Sequence, residues 1–230
     1  MDYDQAPPFE IARYRELQNA LPGVDALYRL MQAQLEAELH CGGEILVVGA
    51  GGGREVEALC NSVVPFQVTG VDPSKDMLKI AQWYADQSVS PEFVKLIEGT
   101  STDVVAPDGG FDAATSLLVM HFLNDEASEH GKHAYLKAIK ERLKPGGVII
   151  HADISFDSIA DFDKLKPTFL RHAMLTGLAK EDVKAGPDMI ASLPIISGAD
   201  TETLLTDSGF TDPQLFFQTL WYRAWVAHVN

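Results

Sequence analysis

The sequence predicts an α/β protein, an open and mostly parallel sheet with helices on both faces. Three observations point there. Short runs rich in Val, Ile and Leu alternate along the chain with longer stretches of helical periodicity. Glycines crowd directly after the first such run, where a buried strand hands over to a helix. The chain has 230 residues, 46% hydrophobic and 22% charged, a globular balance unlike that of a disordered, collagen-like or coiled-coil chain.

Each element follows in order. Met1 to about Gly23 has no strand before it and is expected to lie as a flap over the ligand edge of the sheet. A helix runs from about Val24 to Leu39, with Leu27, Leu30, Met31, Leu35 and Leu39 on one face. Glu44–Gly49 is the first buried strand, and Phe66–Val71, Phe93–Glu98, Phe111–Leu117 and Val148–Ile154 repeat its character. Ser74 can cap a second helix whose stripe is Met77, Ile80, Ala81 and Tyr84. A third helix is expected from about Ala127 to Leu143, with Leu136, Ile139 and Leu143 inward and Lys144-Pro145-Gly146-Gly147 ending it. Residues from about Phe156 to Leu193 break the alternation, look helical, and would lie over the carboxyl ends of the strands, where such sheets bind ligands. Phe210–Phe217 and Trp221–Val229 close the chain as an antiparallel pair. The expected organisation is one domain over residues 1–230, with an N-terminal helical flap and helix in 1–40 and a helical cap insert in 156–193.

Lys and Arg number 18 against 33 Asp and Glu, a formal charge of −15. That field repels polyphosphate and no basic cluster offsets it, so nucleic acid is not the expected partner. No run of about 18 apolar residues marks a membrane span. The start MDYDQAPPFE lacks the basic-then-apolar pattern of a secretory signal. Cys41 and Cys60 show no metal-ligand spacing and are expected as reduced thiols of a cytoplasmic protein.

The most informative stretch is Ile45-Leu46-Val47-Val48-Gly49-Ala50-Gly51-Gly52-Gly53-Arg54-Glu55. Glycines after a strand let the backbone approach a ligand and open a helix whose N–H groups face it. The G-x-G-x-G spacing of Gly49, Gly51 and Gly53 puts Arg54 where a dinucleotide fingerprint needs its third glycine. NAD and FAD are therefore disfavoured, and a smaller adenosine ligand with its amino-acid part against the loop is favoured. Asp72 ends the next strand 19 residues past Gly53, near the spacing at which an acid accepts ribose hydroxyls.

With these residues in place, the chain resembles the class I S-adenosylmethionine-dependent methyltransferases over about Gly42 to Ile154. The resemblance rests on VVGAGGGREVEAL, VTGVDPSKDML, LIEGT, FDAATSLLVMHFL and LKPGGVIIHADI, in order and at matching spacing. It implies a Rossmann-like seven-stranded methyltransferase sheet with an antiparallel last strand. It also implies S-adenosyl-L-methionine as cofactor and a small-molecule acceptor. The terminal segments are similar to a bacterial small-molecule or orphan branch, reminiscent of carboxy-S-adenosylmethionine synthase.

By the same resemblance, Gly49, Ala50, Gly51 and Gly53 cradle the methionine moiety. Asp72 holds the ribose, while Pro73 and Met77 lie against the adenine. Gly99, Thr100 and Ser101 form the turn at the adenine edge, and Ser116 and Leu117 end the fourth strand beside the sulfonium. Two departures stand out. Thr100 replaces the usual Asp, and Val47 replaces the acid often found before the glycine loop, leaving the ammonium to backbone carbonyls or to an acid such as Glu55.

A sulfonium already carries an activated methyl, so positioning and exclusion of water can supply most of the acceleration. A base is needed only for a protonated, weakly acidic acceptor. The catalytic candidates are His121, just past the fourth strand, and Tyr14, which with Arg13 and Arg15 could close over a carboxylate. Packing at a helix start and a solvated helix face are the respective alternatives. Asp153 is a further candidate, as base or structural hydrogen-bonding group, and Arg171 and His172 lie in the insert. Glu126, Glu129, His130 and His133 are expected as a solvated face rather than a metal site. Trp221 and Trp225 are expected on one face of the last strand, in the core. Alternatives kept open are a cofactor-modifying enzyme of the carboxy-S-adenosylmethionine synthase type, a non-catalytic S-adenosylmethionine-binding protein, and an NAD-dependent reductase. The methyl acceptor is open, and so is a homodimeric state.

Overall fold

The computed structural model describes residues 11–124 and 131–230. Helix α1 (Ile11–Asn19) and helix α2 (Val24–Glu38) precede the sheet. Then come β1 (Gly43–Val48), α3 (Arg54–Cys60), β2 (Phe66–Asp72), α4 (Lys75–Asp86), β3 (Val94–Glu98), β4 (Phe111–Leu117), α5 (Lys132–Lys140) and β5 (Leu143–Ile154). The chain finishes with α6 (Ile159–Leu175), α7 (Lys180–Ser192), α8 (Gly198–Asp207), β6 (Phe210–Thr219) and β7 (Tyr222–Val229). The seven strands lie in the order β3-β2-β1-β4-β5-β7-β6. β1 to β5 pair in parallel, and β7 runs antiparallel between β5 and β6. The α/β sheet with one antiparallel strand is thus as expected.

Apolar clusters cover both faces. Met31 and Leu35 of α2 and Val56 and Leu59 of α3 pack with Val47 and Val68 on one side. Leu136 and Ile139 of α5, Leu205 of α8 and Trp225 pack with Leu46, Val48 and Ile149 on the other. Strands buried on both faces need continuous apolar runs, which is why β1 carries Ile45, Leu46, Val47 and Val48, all buried. A third cluster joins Phe162 and Phe169 of α6 and Val183 and Ile190 of α7 to Trp221 and Tyr222 at the head of β7.

Three expectations need correction. The helix expected over Ala127–Leu143 ends at Lys140, and its first residues fall outside the described ones. Leu143 begins β5 and pairs with Phe111, while Lys144-Pro145-Gly146-Gly147 bulges before pairing resumes at Ala113 and Val148. Asp112 stabilises the bulge: it accepts from Lys144 Nζ at 2.7 Å and from the Glu44 N–H at 2.9 Å. On α4 the buried face is Leu78, Ala81 and Ala85, and Met77, Ile80 and Tyr84 are half-buried. Trp221 and Trp225 are both buried, but in different clusters, because Trp221 precedes β7 and turns to the α6 aromatics.

Candidate active site

The loop after β1 is shaped by backbone that only glycine adopts freely. Gly49 has φ 82° and Gly53 φ 69°, and Ala50–Gly52 form one tight turn between them. Gly51 is required by space: a Cβ there would come 2.5 Å from Met77 Cβ and 2.7 Å from Asp72 Oδ2. A Cβ on Gly49 would meet Val119 Cγ2 at 2.3 Å, so the segment after β4 curls against the loop.

Asp72 ends β2 beside this turn. Its Oδ2 accepts from the Gly51 N–H at 3.0 Å and its Oδ1 from the Ser74 N–H at 2.8 Å. Burial raises its carboxyl above the ordinary range, against the pull of those two N–H donors. Each oxygen retains a lone pair, so the carboxylate can still accept from a vicinal diol. Ser74 caps α4 by accepting from the Met77 N–H at 3.3 Å, and Pro73 and Met77 flank the acid, half-buried. At the end of β3, the Gly99 N–H donates to the Asp72 carbonyl at 3.0 Å. Thr100 is exposed, with its N–H and hydroxyl both directed to Asp103 Oδ2 at 2.8 and 3.0 Å, and Ser101 is buried.

Helix α1 lies over the loop. Tyr14 would touch a Cβ at Gly52, and its hydroxyl accepts from Gln18 Nε2 at 3.0 Å. Burial pushes its phenol up to about 12, helped by the Asp72 and Glu55 carboxyls. Arg15 pairs with Glu57 through Nη2, its guanidinium sits 4.2 Å over the Tyr84 ring, and its Nη1 is buried without a hydrogen-bond partner. Arg54, at the start of α3, binds Asp25 at 2.8 Å and also Asn19, clasping α1 and α2 to the loop. The sequence reading saw Arg54 only as a missing glycine.

The ends of β4 and β5 hold a second group of polar side chains. His121 is 5% exposed and Asp153 2%, and His121 Nδ1 binds Asp153 Oδ1. The Ile154 N–H donates to the same oxygen at 2.8 Å, which fixes the carboxylate. Two candidates named separately from the sequence are therefore one unit. Beside them, Ser116 hydrogen-bonds Tyr135 at 2.8 Å and His151 Nδ1 at 3.3 Å. The Ser116 hydroxyl thus faces α5, while the Leu117 N–H turns to Glu55. Burial holds the His151 pKa below the ordinary value, so this ring is neutral at pH 7. Tyr135 and His151 were missed. Tyr135 lies outside the matched motifs; His151 lies within LKPGGVIIHADI, but only the strand register brings it level with Ser116.

The remaining candidates fall elsewhere. Arg171 and His172 line an open groove along α6 with Pro167, Thr168 and Leu175. His133 is exposed and approaches the Asp207 carbonyl at 3.3 Å, while Glu126, Glu129 and His130 lie outside the described residues, as does the Arg13 side chain. Among the described residues, no group of three His, Cys, Asp or Glu could hold a metal ion. No described helix is long and apolar enough to cross a membrane.

Residues 46–151, which hold the glycine loop, Asp72, Ser116, His121 and His151, match the family model described as a methyltransferase domain. Over this stretch the chain is similar to the methyltransferase-domain family. A demethylmenaquinone methyltransferase of Staphylococcus aureus is 29% identical over 137 residues, 58% of this chain and 52% of that protein. The chain thus spans about half the length of that curated relative. The methyltransferase fold extends further. A Burkholderia thailandensis 1,6-didemethyltoxoflavin-N1-methyltransferase, crystallised with bound 1,6-didemethyltoxoflavin and S-adenosylhomocysteine, superposes over 96% of this chain and 85% of its own. Its TM-score is 0.61 at 18% identity. A Thermotoga maritima methyltransferase, described as a possible histamine N-methyltransferase, covers 96% of each chain with a TM-score of 0.56 at 17% identity.

Proposed function

We propose that this chain transfers a methyl group from S-adenosylmethionine to a small-molecule acceptor, with the His121–Asp153 pair accepting the acceptor's proton. The donor fits the residues present. Gly51 lets the turn close directly on Met77 and Asp72, where a Cβ would collide with both, and Asp72 keeps free lone pairs beside the loop. Gly49, Ala50, Gly51 and Gly53 would hold the methionine portion, Asp72 the ribose, and Pro73, Met77, Gly99, Thr100 and Ser101 the adenine. The donor supplies an activated methyl on a cationic sulfur.

The observation that carries the reading is the buried His121–Asp153 pair at the edge of the domain. Asp153 accepts the Nδ1 proton and selects the tautomer, leaving Nε2 free to take a proton. Burial of both side chains excludes water from that transfer. Next to this edge, Leu118 has φ 61° and lines a small apolar cavity with Leu21, Pro22, Phe217 and Tyr222. Helices α6 and α7 act as the cap and α1, with Tyr14, as the flap. The finer expectations are a cytoplasmic location and an acceptor that is not nucleic acid; light scattering distinguishes monomer from homodimer.

Incubation with methyl-labelled S-adenosylmethionine and a small-molecule metabolite pool, followed by mass spectrometry, tests the proposal. Labelled product with the native protein and loss of it in His121→Ala is the expected result. Donor binding without product from any fraction would leave a sensor of the nucleoside and refute the transferase reading.

A further inference from the structure

Arg223 is a cation at the ligand edge that the proton transfer above does not use. It is the second residue of β7 and the register partner of Asp153, so the two side chains project from the same face of the sheet. Strand order then sets three groups in a row along this edge. His121 stands past the end of β4, Asp153 near the end of β5 binds it, and Arg223 follows on β7.

The guanidinium is loosely held. Its Nη1 donates to Ser155 Oγ at 3.4 Å. Among the described residues, the carboxylate paired with it is Asp157, 3.9 Å away and largely exposed, and such a pair contributes little. Asp153 makes no hydrogen bond to it, because its Oδ1 is turned to His121 and the Ile154 N–H. The Arg223 Nε is buried without a hydrogen-bond partner, while Nη2 also lacks a partner and is open to solvent. The arginines over the glycine loop differ: Arg15 binds Glu57, and Arg54 binds Asp25 at 2.8 Å. Room for the Arg223 head is built in at Gly198, which opens α8. A Cβ there would come 2.3 Å from Nη1, and Gly198 lacks the positive φ that by itself calls for glycine. The missing side chain serves the guanidinium.

We propose that Arg223 is the anion subsite for the methyl acceptor. The acceptor carries an oxyanion, a carboxylate or a phosphate monoester, which the guanidinium grips while His121 receives the proton of the O–H or N–H that is methylated. The assignment rests on the transfer reading above and deepens it by naming the substrate class. The acceptor's O or N bonds to the methyl carbon as the C–S bond breaks, its proton goes to His121 Nε2, and S-adenosylhomocysteine leaves. A guanidinium is always charged and presents a planar fork that matches two oxygens of such a group. Asp157, exposed and distant, gives way to it. β4 and β7 lie two strand spacings apart, about 10 Å, the reach of a compact molecule bearing both groups. In a chain of formal charge −15, an anionic acceptor needs such a local cation.

Methyl-labelled S-adenosylmethionine, supplied with a small-molecule extract divided by anion exchange, tests this. Label should pass to a compound of the retained fraction. Treating that fraction first with alkaline phosphatase separates the two sources: transfer is lost for a phosphate monoester and survives for a carboxylate. With the compound purified from that fraction, Arg223→Gln should raise KM about 10–100-fold and change kcat little. Arg223→Lys should recover part of the loss. S-adenosylhomocysteine affinity within about twofold of native reports that both variants are folded, and a role confined to holding Ser155 and α8 would not raise KM alone. Label passing only to the unretained fraction, an unchanged KM in Arg223→Gln, or a fall in donor affinity that matches the rise in KM overturns the assignment alone. No label in either fraction overturns the transfer reading together with it.

Discussion

In the proposed site, the surface around Gly49–Gly53 is backbone, whereas at the ends of β4 and β5 it consists of side chains bonded to one another. The first region needs only the absence of Cβ atoms and one acid, Asp72, held by two N–H groups. The second needs Ser116 of β4, His121 of the turn after it, Tyr135 of α5 and His151 and Asp153 of β5 to arrive together. A backbone site can serve any acceptor chemistry, while a side-chain site commits the protein to one. The donor end is therefore generic, and the chemical individuality of the chain resides at the β4–β5 edge.

The contrast is broken most severely at Gly51. Gly51→Val should abolish S-adenosylhomocysteine binding in calorimetry, because the new side chain must enter space held by Met77 and Asp72. Retained affinity would move the donor elsewhere. His121→Ala should lower kcat by about 10²–10⁴ while leaving donor affinity near native, as expected for a lost proton acceptor. Asp153→Asn should follow it with a smaller loss. A parallel fall in donor binding would make the pair part of the donor site and dissolve the division. Asp72→Ala should weaken the donor by about 1–3 kcal/mol through lost charge-assisted hydrogen bonds.

A further effect is on stability. Burial holds the Glu55 carboxyl at about 8 in the fold, above the ordinary carboxyl value of about 4.5, so the folded state holds the proton more tightly. Its contribution is complete below about 4.5 and is lost as pH rises through about 8. The ligand-free protein should melt at progressively lower temperature across that window, and Glu55→Gln should remove part of the slope. Asp72, also raised, accounts for a share that the variant leaves.

The glycine turn and Asp72 were legible because their requirements are local: spacing along a strand–turn–helix unit and nothing else. The His121–Asp153 contact spans 32 residues and depends on the β4–β5 register, so each residue could be named but not the pair. Leu143 was misplaced because one apolar residue suits a helix end and a strand start equally. Pairing with Phe111 and the Asp112–Lys144 contact decide for the strand. Met77 and Tyr84 were assigned to the core face of α4, whereas Gly51 and Gly53 leave room that draws both against the loop. Arg15 looked like a ligand clamp because a lone cation on a flap advertises no partner, and Glu57 became visible only in three dimensions.

How α1 and the α6–α7 pair are fastened has a consequence at high salt. Phe162, Phe169 and Trp221 anchor α6 through ring contacts 4.5 and 5.1 Å apart, whereas the Arg15–Glu57 ion pair and the Arg54–Asn19 contact retain α1. Dissolved electrolyte loosens half-exposed ion pairs and tightens apolar contacts. Rising ionic strength should therefore loosen α1 from the glycine loop before it loosens α6 from its aromatic seat.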